Sequence, residues 1–157
     1  MSKRLVYDRN AAVSYAHRYA FTPNSAFYNF ERLGGDCTNF ISQCLYAGYP
    51  QMNYSPHGWY YKNAGNRAPA WTGVSFLYDF LVSGTNRPGP AAVTVPVDET
   101  IPADIIQLSF DGIRFSHSLI VVETGERGVL VATHSDNSDY RLLDSYSYRL
   151  ARGLHIR

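Results

Sequence analysis

The sequence lacks the features that mark several classes of protein. Its two cysteines are too few for a disulfide scaffold. Fourteen Lys+Arg against thirteen Asp+Glu leave a net charge of +1, so no basic excess points to nucleic acid and no charge run points to a membrane surface. No apolar run is long enough to span a bilayer, and the residues after Arg4 do not resemble the apolar core of a signal peptide. We therefore expect a soluble chain without a transmembrane segment. It would be cytoplasmic as it stands, and secreted or bound to the cell envelope if it is a domain of a longer exported protein.

What is present is enough for a folded core. Apolar residues make up 45% of the chain and aromatic residues 15%, which excludes a disordered or low-complexity protein. A length of 157 residues is typical of one domain, so we predict a single domain over residues 1–157.

Helical patterns come first and strand patterns follow. Asp8 is a candidate N-cap for a first helix that ends before Pro23, and further helices are predicted over residues 36–47 and 74–82. Four strand patterns follow, at residues 105–108, 116–122, 129–134 and 152–156. This order predicts an α+β fold, with N-terminal helices packed on a C-terminal antiparallel sheet.

Cys37 is a candidate nucleophile because it lies in the first turn of the second predicted helix. There, unpaired N–H groups and the helix dipole favour a thiolate, which predicts a lowered pKa. The preceding Gly34 and Gly35 leave room for a substrate. The alternative is that Cys37 only packs in the core, as we expect for Cys44. A disulfide between them is excluded, since seven helical residues separate them by roughly 10 Å.

Two of the five histidines are predicted to face each other. If the turn between the second and third strands is centred on Gly125 and Glu126, His117 lies opposite His134, with Cβ atoms roughly 5 Å apart. A slip of one residue would replace His134 by Thr133 or Ser135. Zinc bound by these histidines, Asp136 and a cysteine is a minor alternative, because no recognised ligand spacing is present; we expect no metal and no cofactor.

Several segments together resemble the putative amidase domain family, which belongs to the papain-like clan with the NlpC-type and CHAP-type cell-wall peptidases. The most specific segment is Gly-Gly-Asp-Cys-Thr-Asn-Phe at residues 34–40. Similar matches are found in the first helix (7–16), around Trp59 and Trp71, at residues 103–107, and at both histidine strands. The resemblance implies a papain-like, NlpC-like fold over nearly the whole chain.

The resemblance also implies roles for individual residues. Cys37 corresponds to the nucleophile, His117 to the general base and His134 to the third position, with Asp136 and Asn137 as rivals for that position. Tyr28 is a candidate oxyanion donor, with ordinary packing as its alternative. Trp59 and Trp71 could line a substrate groove or fill the core.

The function that the resemblance implies is that of a bacterial cysteine amidase or thiol peptidase. Such a hydrolase forms a thioester at Cys37 and then hydrolyses it, and its substrates would be peptides or peptidoglycan fragments. Two alternatives remain, a non-catalytic peptide- or glycan-binding module on the same fold and an acyl transferase. The sequence does not indicate the oligomeric state.

Overall fold

Helices and an antiparallel sheet form the structure, a computed structural model that describes residues 3–157; Met1 and Ser2, from the N-terminal segment considered above, lie outside it. The helices are α1 (Arg9–Tyr19), α2 (Cys37–Gly48), α3 (Pro69–Thr72) and α4 (Val74–Val82). The strands are β1 (Tyr61–Asn63), β2 (Asn66–Arg67), β3 (Ala92–Val95), β4 (Ile105–Ser109), β5 (His117–Gly125), β6 (Gly128–Thr133), β7 (Ser138–Leu142) and β8 (Leu150–Ile156). The mixed α+β class predicted from the sequence is confirmed.

Six of the strands form one sheet, in the order β3-β8-β4-β5-β6-β7, and every neighbouring pair is antiparallel. β1 and β2 form a separate small hairpin. The functional candidates on β5 therefore lie in the interior of the sheet, between β4 and β6.

The helices cover one face of the sheet. Apolar side chains of α1, α2 and α4 pack on alternate strand residues, including Ile105, Ile120 and Ala132, and form the larger core. The intervening strand residues, such as Leu119 and Val121, form a smaller core on the other face. Among residues 3–157, no helix combines the length and the apolar character that crossing a membrane requires.

The helix limits agree closely with the sequence patterns. Asp8 caps α1 by accepting a hydrogen bond from the N–H of Ala11 at 3.0 Å, and α4 has the predicted bounds. α2 begins at Cys37, as its apolar stripe predicts. The sequence patterns missed α3, the β1–β2 hairpin, β3 and β7.

The predicted register of the β5–β6 hairpin was wrong. Gly125 pairs with Gly128, so the turn is the two residues between them, and Gly128 is the glycine with positive φ (+102°). A bulge between Val121 and Glu123 then changes the register again, so that Ile120 pairs with Ala132. The pairing is one residue away from the predicted one, and His117 and His134 are not directly opposite each other.

Candidate functional site

The Cys37 thiol lies at the start of α2, against β5. Asp36 occupies the N-cap position, but its side chain makes no capping hydrogen bond. The Asp36 carboxylate instead accepts hydrogen bonds from the N–H of Phe30 and from Asn39 Nδ2, both at 2.8 Å. The first N–H groups of α2 are therefore not covered by the cap residue.

The surroundings of the thiol raise its pKa, contrary to the prediction. Cys37 is 8% exposed, and this burial raises the pKa of its thiol. The backbone N–H of Ser118 and the hydroxyl and backbone of Thr38 partly offset this rise in the pKa. Thr38 Oγ1 lies 3.7 Å from Cys37 Sγ. Cys37 and Cys44 are both free thiols, as expected, and Cys44 has no exposed surface.

His117 is the first residue of β5 and faces a carboxylate. Its Nε2 lies 3.3 Å from Oδ1 of Asp136, an ion-pair contact that lacks the alignment of a hydrogen bond. Burial lowers the pKa of His117, while the Asp136 carboxylate opposes that change. Nδ1 is the ring nitrogen that does not face Asp136.

Cys37 and His117 are close in the fold but do not form a hydrogen bond with each other here. The N–H that faces Sγ belongs to Ser118, so the backbone of His117 is one peptide unit from the sulfur. Ser118 is fixed in turn, since its Oγ lies 2.9 Å from Thr38 Oγ1 and accepts from Gln107 Nε2 at 3.2 Å. These contacts join the start of α2 to the start of β5.

His134 has a different environment. Its Nδ1 lies 2.6 Å from Oδ2 of Asp36 and its Nε2 lies 2.7 Å from the carbonyl oxygen of Tyr19. Both ring nitrogens are therefore engaged, one with a carboxylate and one with a backbone carbonyl. The ring also stacks on Phe40, with centroids 4.0 Å apart. Neither nitrogen is free to orient His117.

Some of the other candidate residues lie in the core, and the others lie beside α2 or at a surface cavity. Trp59 and Trp71 are fully buried, so they fill the core and do not line a groove. Tyr28 is half-exposed, and its carbonyl accepts from Asn39 Nδ2 at 2.9 Å, which holds it beside the first turn of α2. Asn137 lines a cavity of about 310 Å³ next to His134. Within the described part of the chain, no three His, Cys, Asp or Glu side chains are grouped to hold a metal.

Sequence reasoning missed two neighbours of His117. Arg141 donates from Nη1 to Oδ2 of Asp136 at 2.5 Å, and the ring of Tyr146 lies 5.8 Å from that of His117. Both residues line a cavity of about 280 Å³ together with His117 and Asp136. Arg141 lies on a polar edge strand and Tyr146 on the turn after it, where the sequence carries no motif that could have identified them.

Comparison with known proteins identifies the family of this chain. Residues 6–157 match the family described as "Putative amidase domain", and the chain belongs to that family. The chain is also 35% identical over 141 residues to a Bacillus subtilis (strain 168) protein named "Uncharacterized protein YhbB". That alignment covers 87% of this chain and 43% of the Bacillus protein, so the chain spans less than half of its relative's length. No solved structure matches the chain.

Proposed function

We propose that this chain is a cysteine-dependent amidase, forming one domain of the papain-like clan that includes the NlpC-type and CHAP-type peptidases. Cys37 is the nucleophile, His117 the general base and Asp136 the residue that orients His117. The observation that carries the proposal is the series of contacts that links Cys37, His117 and Asp136. The backbone N–H of Ser118 faces the thiol, and the adjacent His117 faces the Asp136 carboxylate. Membership of an amidase family supports the reaction class.

Asp136 replaces His134 in the third position of this proposal. A residue in that position must leave the base one nitrogen for the nucleophile. Asp136 contacts Nε2 of His117, which leaves Nδ1 for the thiol proton. His134 is committed to Asp36 and Tyr19 instead.

The reaction follows from these positions. The Cys37 sulfur forms a bond to the amide carbonyl carbon while its proton passes to His117. The C–N bond then breaks, and His117 returns the proton to the leaving amine. Water attacks the thioester, giving up a proton to His117, and the thiol leaves with a proton as the carboxylic acid is released. The thiol–imidazole hydrogen bond that this needs is absent here, and such bonds are often long in ligand-free sites and tighten on substrate binding.

The start of α2 is the proposed oxyanion site. The N–H of Cys37 has no partner within the helix, and Asp36 does not cap it. Such an N–H stabilises the negative charge that develops on the carbonyl oxygen during attack. Tyr28 is the proposed second donor, because the Asn39 contact holds it against the same turn.

The proposed substrates are short peptides, including the peptide parts of bacterial peptidoglycan. This class comes from the resemblance to cell-wall peptidases, and the relative from Bacillus supports a bacterial setting. Any further specificity of the full-length protein would also involve the rest of its chain.

The test is digestion of purified peptidoglycan fragments and a peptide library in ¹⁸O-labelled water, followed by mass spectrometry. Wild type and the control Cys44→Ala are expected to release new fragments that carry ¹⁸O at the new carboxyl group. Cys37→Ala is expected to release none. Fragments that persist with Cys37→Ala would refute the nucleophile, whereas Cys37-dependent products without ¹⁸O would identify an acyl transferase. Binding by wild type without any product would favour the binding module.

A further inference from the structure

We propose that Arg141 is a positioning residue for the candidate site, holding Oδ2 of Asp136 so that Oδ1 faces His117. This inference rests on the proposed function, because it concerns how its base is oriented. Arg141 lies on β7, the edge strand beside β6, and reaches back over the turn that carries Asp136.

The two oxygens of Asp136 have separate partners. Oδ2 accepts from Arg141 Nη1 at 2.5 Å, while Oδ1 lies 3.3 Å from His117 Nε2 and is a buried atom with no hydrogen bond among the described residues. Fixing one oxygen of a planar carboxylate restricts its rotation. The Arg141 contact therefore determines where the other oxygen points.

Arg141 is itself held in place on two sides. Its Nε donates to Ser145 Oγ at 2.8 Å, and its guanidinium carbon lies 3.7 Å from the centre of the Tyr146 ring. Asp136 has no comparable support from regular structure, because it lies in the turn between β6 and β7, after Ser135 at φ +80°. Arg141 thus anchors the side chain of the turn residue Asp136 to β7.

Stability does not explain the Arg141–Asp136 contact. Both side chains are about one third exposed, at 33% and 35%. Ion pairs this accessible to solvent contribute little to folding. Removing Arg141 is therefore expected to change the site far more than the stability of the fold.

The charge of Arg141 also acts on the base. The titratable groups that face His117 are the Asp136 carboxylate, the Arg141 guanidinium from β7, and Tyr146 from the following turn, whose ring centre lies 5.8 Å from that of His117. Asp136 raises the pKa of His117, whereas Arg141 lowers it. Releasing the carboxylate from Arg141 takes Oδ1 away from Nε2 and lowers the pKa of His117, whereas loss of the Arg141 charge raises it. Only a variant that keeps the charge therefore tests the positioning by itself.

The test is an NMR titration of the His117 ring in wild type and Arg141→Lys, which needs no substrate. Arg141→Lys keeps the charge and loses the planar guanidinium that holds Oδ2, so the His117 midpoint is expected to fall by about 0.5 unit. The matched control is Arg127→Lys, the same substitution in a side chain that is 71% exposed and paired with Glu123; its shift should stay below about 0.2 unit.

An unchanged or raised His117 midpoint in folded Arg141→Lys would overturn the proposal. If Arg141→Lys does not fold, Arg141→Gln decides, because a raised midpoint there would show that Arg141 acts on His117 through its charge alone. The outcome is separate from the test of the amidase function. The titration reports on His117 even if wild type cleaves nothing, and fragments from wild type would stand even if the midpoint does not move.

Discussion

Replacing His134 by alanine is expected to destabilise the fold strongly while leaving the chemistry of the folded protein intact. The substitution removes the partner of Asp36 Oδ2 at 2.6 Å and of the Tyr19 carbonyl at 2.7 Å. It also removes the ring that stacks on Phe40. Both side chains of the Asp36–His134 pair are 3% exposed, so the substitution would leave Asp36 buried without its partner.

The expected loss follows from that burial. Breaking a buried ion pair by removing one partner costs about 3–5 kcal/mol. Proteins of this size unfold with a free energy of about 5–15 kcal/mol, so this loss is a large part of the total. The corresponding decrease in Tm is roughly 6–20 °C, because each kcal/mol shifts Tm by about 2–4 °C at this length.

The assay is urea denaturation followed by tryptophan fluorescence, with activity measured on the folded fraction at low temperature. His57→Ala is the matched control, since His57 is exposed, and it should change the free energy of unfolding by less than about 0.5 kcal/mol. A loss below about 1 kcal/mol in His134→Ala, together with abolished activity, would refute the reasoning. That result would return His134 to the third position of the site.

Three further predictions concern the candidate site. Iodoacetamide is expected to label Cys37 and not Cys44, at a rate that rises from about pH 6 to about pH 9, because burial raises the thiol pKa; a rate independent of pH would contradict this. The acidic limb of kcat/KM should lie below about pH 6.5, since burial lowers the pKa of His117 and only its neutral form accepts a proton, and a limb above that pH would disagree. Asp136→Asn should reduce kcat by about 10²-fold with little change in urea midpoint, and an unchanged kcat would remove Asp136 from the site.

Local patterns predicted the parts of the fold that depend on neighbouring residues. The stripe of apolar residues in α2 and the Asp8 cap of α1 are local signals, and both helices lie where these signals place them. β7 has no such signal, because it is a polar edge strand (Ser-Asp-Tyr-Arg-Leu) with no alternation of apolar residues. Its neighbour β6 supplies the pairing that makes it a strand.

The position of His117 relative to its partners depended on features that the sequence does not display. Gly125 suggested the turn, but the positive φ belongs to Gly128, so the pairing next to the turn is two residues from the predicted one. The bulge near Val121 moves it back by one residue, which leaves an error of one residue near His117. The sequence did name Asp136 as a rival for the third position. Choosing between Asp136 and His134 required knowing that Asp36, 98 residues earlier in the chain, occupies His134.

The pKa of Cys37 shows why position on a helix does not determine reactivity. The sequence places the thiol where the helix dipole favours a thiolate, but that effect is modest and depends on the charge staying near solvent. Burial acts in the opposite direction and is the larger effect here, so the resting site holds a neutral thiol beside a base whose pKa is also lowered by burial. Activation must then occur during attack, when His117 takes the proton as the sulfur bonds to carbon. Such a site depends on the orientation of His117 more than on a preformed thiolate, which is why the contacts of Asp136 and Arg141 matter for its chemistry.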